Sequence, residues 1–293
     1  MRRSSFIPGL FSVLLLFSQA HASSRQTRLS ILDFGSTSLG KLAAQNLRNR
    51  FQSNTDIRLL DPQLCATAAR GVGYSGSLNM STSDARDLGA AMDAEFYLIG
   101  DAQTLRRSSS NTPIYYESYC SIFLISSRSG RLVSWQRLNA EADKTNTAED
   151  KLTQSLSGEL RDELVEAIKK AQSEESNEIA IFGSSAPLIE EAPEDDKSAD
   201  AQGVRLPRPY RRLRPAYPES AARAEAEATV DVLVDVGADG EVSQVQIARW
   251  GGFGLDETTI ATVRQLHFFP ALRNGSPIPM RVLLRYNFRK PAQ

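Results

Sequence analysis

Gly71, Gly73 and Gly76 spell G-x-G-x-x-G, a spacing whose backbone amides can cradle a pyrophosphate. Such a cradle needs a strand directly before it and a helix directly after. Here a helical-looking stretch, residues 64–70, precedes the glycines and a polar stretch, residues 77–83, follows them. They read as a loop. Gly73-Tyr74-Ser75-Gly76-Ser77 misses the nucleophile elbow G-x-S-x-G, because Ser77 stands where the last glycine is needed. His267 is the one histidine beyond the N-terminal segment. A lone imidazole cannot build a histidine-rich metal site, and on a predicted helix among apolar residues it reads as a packing or surface residue. No run of Cys, His, Asp and Glu has metal-ligand spacing. Neither a cofactor nor catalysis is expected. Cys65 and Cys120, the only cysteines, are candidates for one disulfide in an oxidising compartment, adding about 4 kcal/mol by the chain-entropy model. Two separately buried thiols fit the sequence equally.

The remaining chemistry is that of a β-strand. Over residues 278–289, Ile278, Met280, Val282, Leu284, Tyr286 and Phe288 fall on one face, and Arg281, Leu283, Arg285, Asn287 and Arg289 on the other. Period-two alternation of this length predicts a half-buried strand. Asn274-Gly275 turns the chain just before it. Upstream, residues 229–236 predict a valine-rich strand, Asp239-Gly240 a hairpin turn, and residues 242–250 the return strand. Gly251, Gly252 and Gly254 break that strand. Residues 255–269 then predict a helix, with Asp256 and Glu257 in its first turn, where the dipole favours negative charge, and Pro270 at its end. The sum is one small sheet with a helix on one face.

These residues resemble the C-terminal domain of TonB-like energy transducers. Tyr217-Pro218, the valine strand ending at Asp239-Gly240, Leu255-Asp256, Phe268-Phe269-Pro270-Ala271, Asn274-Gly275 and the closing alternation carry the likeness, over residues 215–289. The resemblance implies a binding module whose last strand pairs with the TonB box, an extended segment of an outer-membrane transporter. Strand addition suits an exposed edge with unpaired N–H and C=O groups. Met280, Arg281, Val282, Leu283, Leu284, Arg285, Tyr286 and Phe288 are the expected peptide-binding residues, with Arg281 and Arg285 flanking the peptide. The other reading of the same arginines is a solvated face that protects the edge from aggregation.

The rest of the chain sets the context. Its 293 residues suggest about two domains, and a net charge of −1 gives no pointer to nucleic acid. Residues 1–22 read as a signal peptide: Arg2 and Arg3, an apolar run over residues 6–17, then Ala20-His21-Ala22. That implies a periplasmic protein. Inner-membrane anchoring follows only if the segment is retained, in which case Ser18 and His21 are candidates for contact with inner-membrane motor proteins. TonB-like transducers keep their membrane helix and a long Pro-rich spacer, and this chain lacks that spacer.

Residues 27–172 predict a mixed α/β sandwich domain with a β-meander late and a long closing helix over residues 149–172. Ile31-Leu32-Asp33-Phe34, Leu88-Gly89, Asp93-Ala94 and residues 128–131 resemble the periplasmic domains of CsgG-like proteins, TolB N-terminal domains and lipoprotein activators of penicillin-binding proteins. Residues 173–203, with nine acidic residues and one basic, predict an unpacked linker. Residues 205–214 carry five arginines and extend through prolines; they read as a solvated entry segment to the C-terminal domain, or as a site for anionic lipid, cell-wall polymer or the acidic linker. The expected architecture is α+β: signal peptide, α/β domain, linker over residues 173–214, and a TonB-like β-β-α-β domain over residues 215–293. The expected role is peptide binding by strand addition, in service of energy-dependent transport. The alternative is an envelope assembly protein that self-associates, as a homodimer, through the same domain.

Overall fold

The computed structural model describes residues 26–108, 114–156, 158–182, 189–193 and 196–290. The signal-peptide reading of residues 1–22, with Ser18 and His21, lies outside them.

The protein is α+β. Its first part runs β1 (Thr27–Ile31), α1 (Ser38–Phe51), β2 (Ile57–Leu59), α2 (Pro62–Gly71), α3 (Thr82–Ala91), β3 (Phe96–Arg107), β4 (Tyr115–Ser126), β5 (Leu132–Ala142), α4 (Thr145–Ser155) and α5 (Gly158–Phe182). The sheet order is β2-β1-β3-β4-β5, parallel on either side of β1 and an antiparallel meander from β3 to β5. Alternation divides the strands between two cores. Leu98, Ala102, Cys120, Ile122 and Leu124 face α1, α4 and α5. Tyr97, Ile99, Phe123 and Ile125 face α2, α3 and the C-terminal part. With both faces covered, residues 96–99 of β3 and 122–125 of β4 are continuous apolar runs. Helix starts follow their caps: Asp61 accepts from the amides of Gln63 and Leu64 (both 2.9 Å), with Pro62 at the first position of α2.

The C-terminal part runs β6 (Glu190–Glu191), α6 (Asp196–Ala201), β7 (Val204–Arg205), β8 (Arg208–Pro209), α7 (Glu219–Ala224), β9 (Ala228–Val236), β10 (Val242–Arg249), α8 (Leu255–Val263), β11 (Phe268–Phe269), β12 (Ala271–Arg273), β13 (Ser276–Ile278) and β14 (Met280–Phe288). Its main sheet is ordered β10-β9-β14-β6. Asn274 (φ 52°) and Gly275 (φ 86°) form the two-residue turn joining β12 to β13, with both central residues at positive φ as a type I′ hairpin requires.

Three expectations give way. The closing helix is two helices: Leu156 leaves helical geometry (ψ 63°), and α5 continues to Phe182, well into the expected linker. That linker is not an unpacked coil. Glu175 is buried and accepts from Ser126 Oγ (2.5 Å), Arg131 grips Glu178, β6 adds to the main sheet, and Ala199 is buried with Val204, Ala271 and Met280. The expected helix over residues 255–269 stops at Val263. Leu266 and Phe268 are buried while His267 and Phe269 are exposed, a period-two alternation that an extended segment delivers and a helix does not.

The two parts share one core. Phe123 stacks on Trp250 (5.9 Å between centroids) and meets Phe253 edge-on (5.2 Å), and Trp135 meets Phe253 (5.5 Å). Trp250 Nε1 donates to the Gly130 carbonyl (3.1 Å). Gly252 is required there: its φ is +69°, and a Cβ would lie 2.3 Å from the Phe123 ring.

Candidate functional site

β14 is the strand on which the site is built. It pairs antiparallel with β9 along its whole length, from Met280 opposite Val236 to Phe288 opposite Ala228. On its other side β6 covers only Met280 and Arg281, in parallel. Among the described residues no strand pairs with that side over residues 282–288, an open edge roughly 20 Å long at ~3.3 Å per residue.

The direction of the free groups follows from one hydrogen bond. The Arg281 carbonyl accepts from the Ala192 amide (2.8 Å), so Arg281 turns its backbone groups away from β9. Backbone direction alternates along a strand. Leu283, Arg285 and Asn287 therefore direct their N–H and C=O to the open edge, while Val282, Leu284 and Tyr286 direct theirs to β9.

Side chains divide in the same way. Met280 and Phe288 are buried, and Val282, Leu284 and Tyr286 pack on the core. On the opposite face Arg281 makes a bidentate pair with Asp235 (2.6 and 2.8 Å), and Arg285 one with Asp231 (2.7 and 2.9 Å). Each pair lies directly across the β9–β14 ladder. Both aspartates are buried, and Asp231 also meets Arg249 Nε at 3.4 Å. The aspartates raise the affinity of both guanidiniums for their protons. Arg281 and Arg285 thus hold the strand in register. Leu283, 54% exposed, is the large apolar side chain left open on this face.

Beside the sheet, a groove of about 1190 Å³ runs between the outer edges of β5 and β10 and is floored by Trp135, Ile247, Trp250 and Ile260. Asp256 also lines it. Its carboxylate accepts from the amides of Gly251 and Gly252 (both 2.8 Å), and burial lifts its pKa to about 6 against those two hydrogen bonds. Its place in the first helical turn is plain from the sequence; its reach back to two glycine amides leaves no sequence signal.

The other candidates are placed apart. Gly73 (φ 79°) and Gly76 (φ 95°) lie in the turn after α2, where the Gly73 amide bonds back to the Arg70 carbonyl: a helix terminus, with no strand before it. His267 is exposed and pairs through Nδ1 with Glu241 (2.9 Å). Cys65 and Cys120 are free thiols buried in different core clusters, so the disulfide candidate is not formed. Among the described residues no group of His, Cys, Asp and Glu could hold a metal ion, and no helix is long and apolar enough to cross a membrane.

The sequence model of the Gram-negative bacterial TonB protein C-terminal family matches residues 214–289. That stretch is a TonB-like C-terminal domain, which implies an envelope or periplasmic setting. Among solved structures the chain is similar to the TonB C-terminal domain of Pseudomonas aeruginosa, at 20% identity over 30% of this chain and 89% of that one (TM-score 0.26). It is also similar to the LpoB C-terminal domain of Salmonella enterica, at 18% identity over 42% and 87% (TM-score 0.28). A third likeness is to lipoprotein GNA1162 of Neisseria meningitidis, at 7% identity over 46% and 99% (TM-score 0.31). No curated protein matches the chain.

Proposed function

We propose that this protein is a non-enzymatic periplasmic adaptor that binds an extended segment of an outer-membrane transporter by strand addition to β14. The open edge over residues 282–288 carries the reading. Leu283, Arg285 and Asn287 offer donors and acceptors at the spacing an incoming strand needs, and Leu283 offers it an apolar neighbour. The paired arginines act by fixing the strand rather than by seeking the peptide's charge. The TonB-like domain supports the choice of partner. Energy-dependent transport, through inner-membrane motor proteins, is the setting in which such binding would serve.

Leu283→Pro tests it by calorimetric titration with a TonB-box peptide. The N–H lost points to the open edge, so the β9 ladder is spared. Losing one donor removes about 1 kcal/mol, and the ring obstructs the incoming strand, so affinity should fall at least tenfold. Leu283→Ala, which keeps the backbone donor, should bind far better than the proline variant. A folded Leu283→Pro protein with wild-type affinity rules edge pairing out.

The same edge supports a second reading. Leu283 is exposed beside unpaired backbone groups, which also suits antiparallel β14–β14 pairing in a homodimer. Concentration-dependent sedimentation without added peptide, abolished by Leu283→Pro, would favour self-association.

A further inference from the structure

We propose that residues 205–214, together with Phe269, form a docking surface for the anionic face of a lipid bilayer. The proposal is independent of the β14 edge. Arg205, Arg208, Arg211, Arg212 and Arg214 are all exposed, and no Asp or Glu falls between Asp200 and Glu219. The segment is held in place: β7 pairs with β12, β8 pairs with β11, and the Tyr210 amide donates to the His267 carbonyl (2.9 Å). Elsewhere in the C-terminal part Arg273 pairs with Glu190, Arg281 with Asp235 and Arg285 with Asp231. Among the described residues Arg205, Arg211, Arg212 and Arg214 have no such partner. Glu190, in the acidic stretch before them, is taken by Arg273.

A second observation decides the class of partner. Tyr210 and Phe269, 59% and 57% exposed, pack against each other with ring centroids 4.3 Å apart. Two large rings are thus left in water, beside a concentration of positive charge. Guanidinium groups bind lipid phosphates through paired donors, and aromatic rings settle at the level of the headgroups. A single-stranded nucleic acid would need a free ring face on which to stack its bases. Here the rings lean on each other, and what they offer is a compact apolar knob.

Vesicle co-sedimentation of the full chain tests this. Vesicles of mixed phosphatidylcholine and phosphatidylglycerol are compared with pure phosphatidylcholine, so that binding through the apolar residues 6–17 cancels. Wild type should bind the anionic vesicles more tightly and release with added salt. Arg211→Gln with Arg212→Gln should weaken anionic binding about thirtyfold. Tyr210→Ser with Phe269→Ser should lower the binding that survives high salt. All four side chains are exposed, and an unchanged melting curve confirms that the variants fold. Equal binding of wild type to both vesicles, or an arginine variant that binds like wild type, overturns the proposal. So does an aromatic variant indistinguishable from wild type on vesicles while soluble polyphosphate competes fully, because the surface would then read charge alone.

Discussion

Asn79 offers a sharp test of how the two parts are joined. β10 ends at Arg249, opposite Asp231, so Thr229 of β9 has an N–H and a C=O with no strand to meet them. The Asn79 amide meets both. Its Oδ1 accepts from the Thr229 amide (3.0 Å), and its Nδ2 donates to the carbonyls of Thr229 (2.8 Å) and Trp250 (2.6 Å). One side chain from the first part thereby stands in for a strand of the second. Asn79→Ala removes three part-buried hydrogen bonds, each worth about 1 kcal/mol, so unfolding free energy should fall by about 3 kcal/mol. Urea unfolding followed by tryptophan fluorescence, which reports on Trp135 and Trp250 at the shared core, should show one transition moved to lower urea with an unchanged slope. Asn79→Asp should be at least as damaging at neutral pH, since a carboxylate would face two carbonyls. It should recover at acid pH, where the protonated carboxyl can donate. A loss below about 1 kcal/mol, or two separate transitions of which only one moves, would refute the idea of a shared cooperative core.

Further outcomes follow from buried groups. Asp256 has its pKa raised to about 6 by burial, above the unfolded value of about 4. Its contribution is therefore fully present below pH 4 and lost as pH rises through 6. Wild type should lose on the order of 3 kcal/mol relative to Asp256→Asn between pH 4 and pH 7, checked by unfolding at both values. Burial pushes the Cys120 thiol up to about 12 and raises that of Cys65 as well. Neither should react with a thiol reagent in the native protein, both should react in denaturant, and a reductant should leave the melting temperature unchanged.

Much of the C-terminal part was legible because its signals are local. The alternation in β14, the Asn274-Gly275 turn and the valines of β9 each depend on neighbours in sequence. Helix α8 is shorter than its apolar spacing suggests: Leu266 continues the three-residue step from Val263, but Phe268, two residues on, shares a buried side with Leu266 only in an extended segment. The acidic composition of residues 173–203 suggested an unpacked coil, yet Glu175 and Glu178 are held by Ser126 and Arg131 across the chain. Pairings of that kind leave no periodic trace. The shared core was invisible for the same reason: Asn79, Phe123 and Trp250 are far apart in sequence. At the site, the strand could be read but its open side could not. Which backbone groups are free depends on how far β6 reaches, and β6 comes from the stretch read as linker.

Amide hydrogen exchange along β14, residue by residue and with and without TonB-box peptide, tests the central claim most directly. Without peptide, Val282, Leu284 and Tyr286 should be protected by β9, while Leu283, Arg285 and Asn287 exchange readily. Saturating peptide should protect Leu283, Arg285 and Asn287 and leave their neighbours little changed. Peptide binding with no new protection at those three amides, or with protection appearing along β10 instead, would contradict strand addition at this edge.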